Sequence, residues 1–563
     1  MHIAPPDRRA FPPSGAEAVP DSAGENLWRN DPAFARLLPL YLPADLLDVL
    51  LPRLDRLGAL AGGELDRLAG VADRNPPELR HRTRRGDDAE AIDFHPTYRE
   101  MERIAFAEFG LAAMSHRAGV FGWPAPLPPA AKYAITFLFA QAEFGLLCPV
   151  SMTDSLARTL RRYGDPALVE RYLPLLASQD LDALHQGAMF MTEQGAGSDI
   201  AATAVKAVPG EGGTWALSGD KWFCSNADAE LALVLARIEG GPAGLPGVAL
   251  FLLPRALPDG SANAFRIVRL KDKVGTRSMA SGEVRLEGAT AWLVGDPGAG
   301  FKQMADMVNN SRLSNAVRSA GMMRRAVFEA LFVARRRVAF GRRLIELPLM
   351  RRQLGKMLLR AEQARSMVFQ TAEALRRSDA GEAGAYPLLR ILTPLVKFRA
   401  CRDARMVTGD AMEVRGGCGY IEEWPEARLL RDAHLGSIWE GTSNIVALDV
   451  LRAARREGGL EALSAHVRGL LAEAPLDGAA EVLDRAAALA DRAQDEPALA
   501  RSAASALYHL ASAAAMAWEA ARIGDANRST LARMTLRHRV LPRDPLAAED
   551  PDAALLPALL EAA

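Results

Sequence analysis

Apolar residues recur with different periods in successive parts of the chain, and these periods predict its elements. From about residue 31 to 185 they recur every three or four positions, as in LPADLLDVLLPRLDRLGALAG (42–62), which predicts helices. From about 186 to 297, short apolar runs such as LALVLARI (231–238) alternate with Gly, Pro, Asp and Asn, which is typical of strands and turns. The helical period returns after residue 298. The order therefore predicts helices, a β-domain, a helical bundle and a helical extension.

Two apolar stripes predict helices in the second half of the chain. Steps of three and four residues place the first stripe on one helix face. Its members are Ala316, Ala320, Met323, Val327, Leu331 and Ala334. The second stripe lies in the alanine-rich extension and consists of Ala503, Leu507, Leu510, Ala514 and Trp518.

Changes in composition define the predicted domain boundaries. The proline-rich N-terminus predicts a flexible arm, the charged stretch 71–100 a connecting loop, and the Pro/Ala/Asp-rich tail from Asp544 a frayed end. We therefore expect an arm, an N-terminal helical domain, a middle β-domain, a four-helix-type bundle, and a helical extension with a frayed tail. The boundaries are 1–30, 31–185, 186–297, 298–455 and 456–563.

Composition excludes several classes of protein. The chain has 563 residues, 49% of them hydrophobic and 24% charged, which is ordinary for a globular protein with more than one packed unit. Its net charge of −1 gives no global attraction to nucleic acid or membrane. The four cysteines form no CxxC pair, so we expect neither a metal site nor a disulfide framework. Without an apparent signal peptide or an apolar run of about 18 residues, a cytoplasmic protein with no membrane span is expected.

Two segments at the start of the β-domain combine small, polar and aromatic residues. MFMTEQGAGSDI (189–200) has glycines that let a ligand approach the backbone, with hydroxyls at Thr192 and Ser198. GDKWFCSN (219–226) places aromatic residues beside Ser225, which suits a flat ring with a polar edge. Taken singly, a turn entering a strand and a strand with core aromatics explain these segments equally well or better.

Two later segments could hold phosphate groups. In RRRVAFGRRL (335–344), Arg337 could bind a pyrophosphate while Phe340 packs against its base. A solvated basic helix end is the alternative. EVRGGCGY (413–420) is a second glycine loop that breaks a helix.

The segment SIWEGTSNIV (437–446) places one carboxylate, Glu440, between Trp439 and Gly441, with two hydroxyl residues just after it. Neighbours of this kind restrict the carboxylate, which makes Glu440 the best candidate for a general base. An ordinary surface glutamate is the alternative.

Together and in this order, the motifs resemble the acyl-CoA dehydrogenase superfamily. The matching segments are MTEQGAGSD, GDKWFCSN, RVAFG, RGGCGY and RLLRDAHLGSIWEGTSNI, and the resemblance covers about residues 40–455. NPPELRH, DFHPTY, ALPDGSANAFRIVRLKDKVGTRSMASGEV, GMMRRA and WEGTSNIVALDVLR resemble the AidB-like branch. The resemblance implies a mainly α fold with a central, β-barrel-like middle domain, an N-terminal helical domain and a C-terminal helical bundle, here with a C-terminal extension.

The resemblance also implies the chemistry. Family members bind FAD, and the glutamate that matches Glu440 removes the α-proton of an acyl-CoA while a hydride leaves the β-carbon for flavin N5. The backbone N–H of Glu440 and a flavin hydroxyl would stabilise the enolate oxygen. Arg312 matches the arginine that follows the substrate-binding helix segment, and the preceding position, where some relatives carry the base, is Ser311.

The cofactor residues are carried over by position. Arg337 and the Gly416–Gly417 loop would hold FAD from a neighbouring subunit, so a homotetramer is implied. Phe223 stands where many relatives have tryptophan. The residues implied to bind FAD are Met191, Thr192, Gly197, Ser198, Phe223, Cys224, Ser225, Arg337, Phe340, Gly416, Gly417, Ile438, Trp439, Gly441, Thr442 and Asn444. The electron acceptor would be a flavoprotein or oxygen.

Two functional classes remain open. One is a working acyl-CoA dehydrogenase of fatty acid metabolism. The other, implied by the AidB-like branch, is a DNA-associated flavoprotein of the alkylation-damage response with weak dehydrogenase activity. Residues 455–563 carry 12 basic and 16 acidic residues, a net charge of −4, which argues against a broadly basic DNA-binding domain. The segment 527–543 is a local exception without acids, and its candidate DNA contacts are Arg528, Arg533, Arg537 and Arg539, with Arg543 at its end.

Overall fold

The N-terminal domain is helical and carries one exposed hairpin. The computed structural model describes residues 19–542, 544, 546 and 551–563. Proline in the first turn begins several of the helices, where its missing N–H costs nothing. The helices are α1 (Pro32–Leu37), α2 (Ala44–Gly62), α3 (Glu64–Arg74), α4 (Pro96–Glu102), α5 (Pro129–Phe139), α6 (Leu147–Tyr163) and α7 (Pro166–Leu176). The strands of the hairpin are β1 (Glu78–Arg82) and β2 (Asp88–Asp93).

Two sequence-based expectations fail in this domain. The stretch 71–100 is not a plain loop, because its middle forms the antiparallel hairpin of β1 and β2. The predicted flexible arm is wrong for residues 19–30, where Leu27 is buried and the Ser22 hydroxyl lies 2.8 Å from both carboxylate oxygens of Glu329. That carboxylate lies in the later bundle, so the local composition gave no sign of it. Residues 1–18 lie outside the described part of the chain.

The middle domain is a seven-stranded sheet whose pairings close on themselves. β6 pairs with β7, β7 with β9, β9 with β5, β5 with β4, and β4 with β6. This ring confirms the predicted barrel-like β-domain. The strands are β3 (Gly187–Phe190), β4 (Lys206–Pro209), β5 (Thr214–Ser225), β6 (Leu231–Ile238), β7 (Val248–Pro254), β8 (Phe265–Leu270) and β9 (Ser281–Leu293).

The bundle is organised around one long helix. The predicted stripe of this helix is buried, but so is its other side from residue 310 to 334, because the other domains pack around it. The elements are α8 (Gly300–Arg336), β10 (Val338–Ala339), β11 (Arg342–Arg343), α9 (Pro348–Asp379), α10 (Ala385–Arg415), α11 (Pro425–Gly436) and α12 (Ser443–Arg456).

The C-terminal extension joins the same hydrophobic core. Its helices are α13 (Gly459–Glu473), α14 (Ala479–Asp495), α15 (Ala500–Ile523), α16 (Ala526–Thr535) and α17 (Leu556–Ala562). The predicted frayed tail is wrong for residues 551–563, where α17 packs against α9 and buries Leu556, Leu559 and Leu560.

A buried ion network joins the two ends of the chain to the bundle. Arg365 on α9 pairs with Asp31, which precedes α1, at 2.7 Å, and with Glu362 one turn away. Arg528 of the extension pairs with the same Glu362 at 2.8 Å and with Glu519 at 2.6 Å. Burial disfavours the charge on Glu362, but the facing arginines hold its pKa at about 2. Glu362 therefore carries its charge near neutral pH.

Across residues 19–542 and 551–563, no helix has both the length and the apolarity needed to cross a membrane.

Candidate active site

Glu440 lies in the short turn between α11 and α12 and has an uncommon backbone conformation. Its φ is +56°, in the left-handed region that non-glycine residues rarely adopt, and Gly441 follows at φ +99°. Such strain persists only where surrounding contacts enforce it, and it is concentrated at functional sites.

Two buried cations hold this turn through its carbonyl groups. Lys397 on α10 donates to the Trp439 carbonyl at 2.9 Å and to the Gly441 carbonyl at 2.5 Å. The Nε of Arg312 on α8 donates to the Glu440 carbonyl at 2.9 Å. Three successive carbonyls are thus bound on one side of the turn. Because burial disfavours its charge, the pKa of Lys397 is lowered to about 8.

The polar groups of Glu440 itself remain partly available. Ser311 on α8 donates to Oε1 of its carboxylate. Within the described residues, Oε2 is buried without a hydrogen-bond partner, and no acceptor receives the Glu440 backbone N–H. A carboxylate oxygen and an N–H donor are therefore both free for a ligand.

An aromatic and cationic wall lies behind Glu440. The Trp439 ring stacks on Phe144 with ring centroids 5.7 Å apart, and the Arg318 guanidinium carbon lies 4.9 Å from each centroid. Trp439 Nε1 is also buried and unpaired within the part of the chain that the structure describes.

The loop after β3 is anchored by Glu193. Its buried carboxylate pairs with Lys221 on β5 at 2.7 Å and accepts the Ala204 N–H at 2.7 Å. The Thr192 carbonyl accepts the Trp222 N–H at 2.8 Å, which ties this loop to the second predicted segment. Gly197 and Ser198 are exposed, whereas Met191 and Thr192 are half-buried.

Strand β5 alternates its side chains at the predicted ring contact. Phe223 is 55% exposed, and the Lys271 ammonium lies 4.8 Å from its ring centroid. Cys224 is completely buried in the core of the β-domain. Because the pleat turns its side chain inward, only the backbone of Cys224 is available to line a flavin. Ser225 is half-buried, with its hydroxyl 3.5 Å from that of Ser281.

The structure brings Arg337 and the Gly416 loop together. Arg337 caps the end of α8, and its Nη1 donates to the Arg415 carbonyl at 3.0 Å. Gly416 has φ +77°, which favours glycine. Nearby, Phe340 is 93% exposed in a left-handed conformation. An exposed aromatic ring beside a basic side chain is suited to contact a ligand or another chain.

Other predicted contacts surround the turn of Glu440. Thr442 and Asn444 are exposed at the start of α12, and Ile438 is 59% exposed. A flat ring with a polar edge binds to apolar side chains on its faces and to hydroxyls and other polar atoms at its edge. The site offers groups of both kinds. The residues present therefore fit the FAD implied by the sequence.

Arg312, which the resemblance assigned to substrate, makes contacts of its own within the protein. Its guanidinium is nearly buried, holds the Glu440 carbonyl, and pairs with Asp449 at 2.7 Å. It therefore positions the turn rather than offering a free cation to substrate. Sequence reasoning missed Lys397, Glu193 and Arg318. A lone charge inside an apolar helical run, as in ILTPLVKF (391–398), is a signal that could have found Lys397.

The candidate DNA contacts do not form one exposed basic face. Arg528 is buried in the ion network of the extension, so its assignment to DNA is wrong. Arg539 is mostly buried and pairs with Asp403 at 3.5 Å, and Arg537 pairs with Asp552. Arg533 is exposed on α16 but bonds to hydroxyls of its own helix. Arg543 lies outside the described residues.

Comparison with known proteins is consistent with this geometry. Residues 17–183 match the "Adaptive response protein AidB N-terminal domain", 188–289 the "Acyl-CoA dehydrogenase, middle domain", and 298–454 the "Acyl-CoA dehydrogenase, C-terminal domain". The putative acyl-CoA dehydrogenase AidB of Escherichia coli K12 is 37% identical over 72% of this chain and 73% of its own length. Acyl-CoA dehydrogenase family member 11 of Caenorhabditis elegans is 33% identical over 79% of this chain and 73% of its own.

A solved structure covers nearly the whole chain. Caenorhabditis elegans ACDH-11 in complex with C11-CoA aligns over 97% of this chain and 96% of its own, with a TM-score of 0.87 at 28% identity. The extension is thus part of the shared fold.

Proposed function

Because this chain belongs to the acyl-CoA dehydrogenase family, in its AidB-like branch, we propose that it oxidises an acyl-CoA between Cα and Cβ with Glu440 as the general base. It is an FAD-dependent oxidoreductase of that family. The observation that carries the mechanism is the geometry of the turn around Glu440. Glu440 has a strained backbone conformation, and buried cations bind the carbonyls of residues 439, 440 and 441.

Glu440 takes the proton from Cα. The α-proton of a thioester is only weakly acidic, so the base must be held within hydrogen-bond reach of it. Ser311 holds Oε1 of the carboxylate, which leaves Oε2 to receive the proton. Lys397 and Arg312 restrain the backbone, so little reorganisation is needed when the proton moves.

The Glu440 N–H stabilises the substrate carbonyl. As the proton leaves Cα, negative charge develops on the thioester oxygen, and an N–H donor aimed at that oxygen stabilises the transition state. Because Lys397 and Arg312 bind the carbonyls of the turn, its peptide dipoles are fixed before substrate arrives.

FAD, when bound, accepts the hydride that leaves Cβ. Phe223 and Ile438 would pack against its ring system, and hydroxyls would bind its polar edge. The hydroxyl residues are Thr192, Ser198, Ser225 and Thr442. Trp439, which stacks on Phe144 beside Glu440, would help to exclude water from the site.

The test of this function is reduction of the bound flavin. The purified protein should be yellow, with about one FAD per chain, and anaerobic addition of acyl-CoAs of graded chain length should bleach its flavin absorbance. A relative crystallised with C11-CoA makes medium chains the first candidates. A flavin that stays oxidised with every saturated acyl-CoA would contradict the proposal.

Arg337 and the Gly416 loop are proposed to bind the FAD of a neighbouring subunit in a homotetramer. Exposed apolar residues around them support an interface, namely Val338, Phe340, Tyr420 and Ile421. We further propose that the protein is cytoplasmic and that its reduced flavin passes electrons to a flavoprotein or to oxygen.

Replacing Arg337 with alanine should weaken FAD binding by about 10–100-fold, the value of a charge-assisted hydrogen bond, and weaken the oligomer with it. Light scattering after gel filtration and titration of the apoprotein with FAD would measure both effects. Arg336→Ala is the matched control, since Arg336 lies over Phe332 of its own helix. A stable Arg337→Ala monomer with full flavin would disprove the cross-subunit role.

The DNA-associated alternative has less support. Of its candidate contacts, Arg528 is buried, and Arg537 and Arg539 face carboxylates of the chain itself. An arginine that is already paired with a carboxylate of the protein contributes little net positive charge for binding DNA phosphates.

A further inference from the structure

Arg318 is a buried cation that has the Cys148 thiol as a neighbour but no carboxylate partner for the end of its side chain. It is 0% exposed, and neither Nη1 nor Nη2 makes a hydrogen bond within the described residues. Its Nε has only a long contact of 3.4 Å to the Ser314 carbonyl of its own helix. Burial lowers its pKa, although the Cys148 thiol and Glu440 act against this change. Such burial costs free energy that a bound anion would recover.

Other deeply buried arginines of the protein pair with carboxylates. Arg325 pairs with Glu329 at 2.7 Å, Arg365 with Asp31 at 2.7 Å, and Arg415 with Glu329 at 2.6 Å. The chain therefore supplies carboxylates where a buried arginine serves the fold. For Arg318 it supplies two aromatic rings, which attract a cation but leave its N–H groups unused.

The position of Arg318 links it to the base. It lies seven residues after Ser311 on α8, a rise of about 10 Å along the helix. Ser311 holds the Glu440 carboxylate, and the Trp439 ring beside Arg318 belongs to the residue before Glu440. A substrate with its Cα at Glu440 and its acyl chain running along α8 would direct the far end of that chain at Arg318.

Other polar groups lie on α8 and α6, the two helices that carry Arg318 and Cys148. The charges of Arg318, Lys273 and Glu440 all act on the Cys148 thiol of α6. Asn315 Oδ1 on α8 and Ser151 Oγ on α6, each three residues from Arg318 or Cys148 along its helix, are also buried and unpaired among the described residues. A purely aliphatic chain would leave these groups unsatisfied.

We propose that Arg318 receives the distal carboxylate of the acyl chain, so that the preferred substrates are mono-CoA thioesters of dicarboxylic acids. This inference rests on the proposed dehydrogenase function and specifies its substrate class. The fork of a guanidinium matches a carboxylate in two parallel hydrogen bonds, and Nη1 and Nη2 are the atoms that would form them. Glu440 and the flavin would act on the same Cα and Cβ as in any acyl-CoA.

The experiment compares matched substrates on matched variants. Aliphatic acyl-CoAs and dicarboxylic mono-CoA thioesters with equal numbers of chain carbons are mixed anaerobically with the FAD-loaded protein, and the rate constant of flavin reduction divided by the dissociation constant of the thioester is measured for each. The wild type should prefer the carboxylated member of the best pair by about 10–100-fold. Arg318→Met should lose or reverse this preference, and Arg318→Lys should keep part of it, because a point charge remains.

The ratio between the two substrates separates binding from a structural role. If Arg318 only stabilised the fold, Arg318→Met would lower Tm and slow both substrates equally, and the inference would be overturned. A wild type that prefers aliphatic chains would overturn it as well. Should Arg318→Met fail to fold, the wild-type ratio and Arg318→Lys decide.

Binding gives a second, independent readout. Equilibrium affinities from the shift of the flavin spectrum should show the same preference for the carboxylated member even without turnover. If the carboxylated thioester binds tighter but reduces nothing, the dehydrogenase proposal fails while the role of Arg318 stands. If aliphatic acyl-CoAs reduce the flavin and the carboxylated ones neither bind nor react better, the role of Arg318 fails alone.

Discussion

Glu440→Gln is expected to slow flavin reduction by any acyl-CoA about 10²–10⁴-fold, the usual value of a positioned general base. The amide keeps the size of the side chain and its contact with Ser311 but cannot accept the α-proton. FAD should stay bound, because the hydroxyls and exposed apolar residues of its site are unchanged. Rapid-mixing absorbance of the oxidised flavin measures the rate, and the spectrum before mixing measures FAD content.

The control and a rescue variant sharpen this test. Glu461→Gln, on the exposed surface of α13, should react like the wild type. Because Ser311 touches the Glu440 carboxylate, the double variant Ser311→Glu, Glu440→Gly returns a carboxylate to nearly the same place. It should recover at least about tenfold over Glu440→Gln if the missing base is the only defect. A Glu440→Gln variant with the wild-type rate would show that the base lies elsewhere.

Lys397→Met is expected to slow flavin reduction on the order of 10²-fold, although Lys397 need not touch substrate. It removes the donor to the Trp439 and Gly441 carbonyls, so the turn relaxes and the carboxylate leaves its position. A misplacement of about 1 Å is enough for an effect of this size. Lys356→Met, exposed on α9, is the control. A Lys397→Met rate within about twofold of the wild type would remove Lys397 from the mechanism.

The pH dependence of stability provides a second readout for Lys397. Its pKa is about 8 in the folded protein against 10.5 for the free side chain. Between these values the unfolded chain binds more protons, so this group adds stability as pH rises through the window, by about 3 kcal/mol in total. Below pH 8 both states are protonated and the contribution is absent. The difference in unfolding free energy between wild type and Lys397→Met, measured in denaturant from pH 7 to 10.5, should grow in that direction.

The parts of the site that local sequence could predict are those where one segment carries the whole signal. Glu440 stands out because an aromatic residue and a glycine flank it. The glycine-rich loops predict places where the backbone comes close to a ligand. The stripe on α8 predicts its helix for the same reason. Alternation along β5 predicts that Phe223 and Cys224 lie on opposite faces, but the sequence does not say which face is buried, and the structure buries Cys224.

The remainder depends on partners far away in sequence. Lys397 is 42 residues from the Trp439 carbonyl that it binds, and Ser22 is 307 residues from Glu329. Burial of these groups is decided by tertiary packing, so neither the role of Lys397 nor the ordered segment at 19–30 could be derived from local pattern. The same holds for Arg528, whose basic surroundings in sequence suggested an exposed face.

The ion network of Arg365 has a consequence for biosynthesis. Asp31 leaves the ribosome 334 residues before Arg365, and Arg528 follows Glu362 by 166 residues. During translation the first helical domain is therefore made long before Arg365, which pairs with Asp31. In the same way, α9 is made before Arg528, which pairs with Glu362. Contacts so distant in sequence form late, and chains held in such states expose apolar surface. The network of Arg365 can therefore close only after α15 and α16 have been made, because Glu519 belongs to the former and Arg528 to the latter.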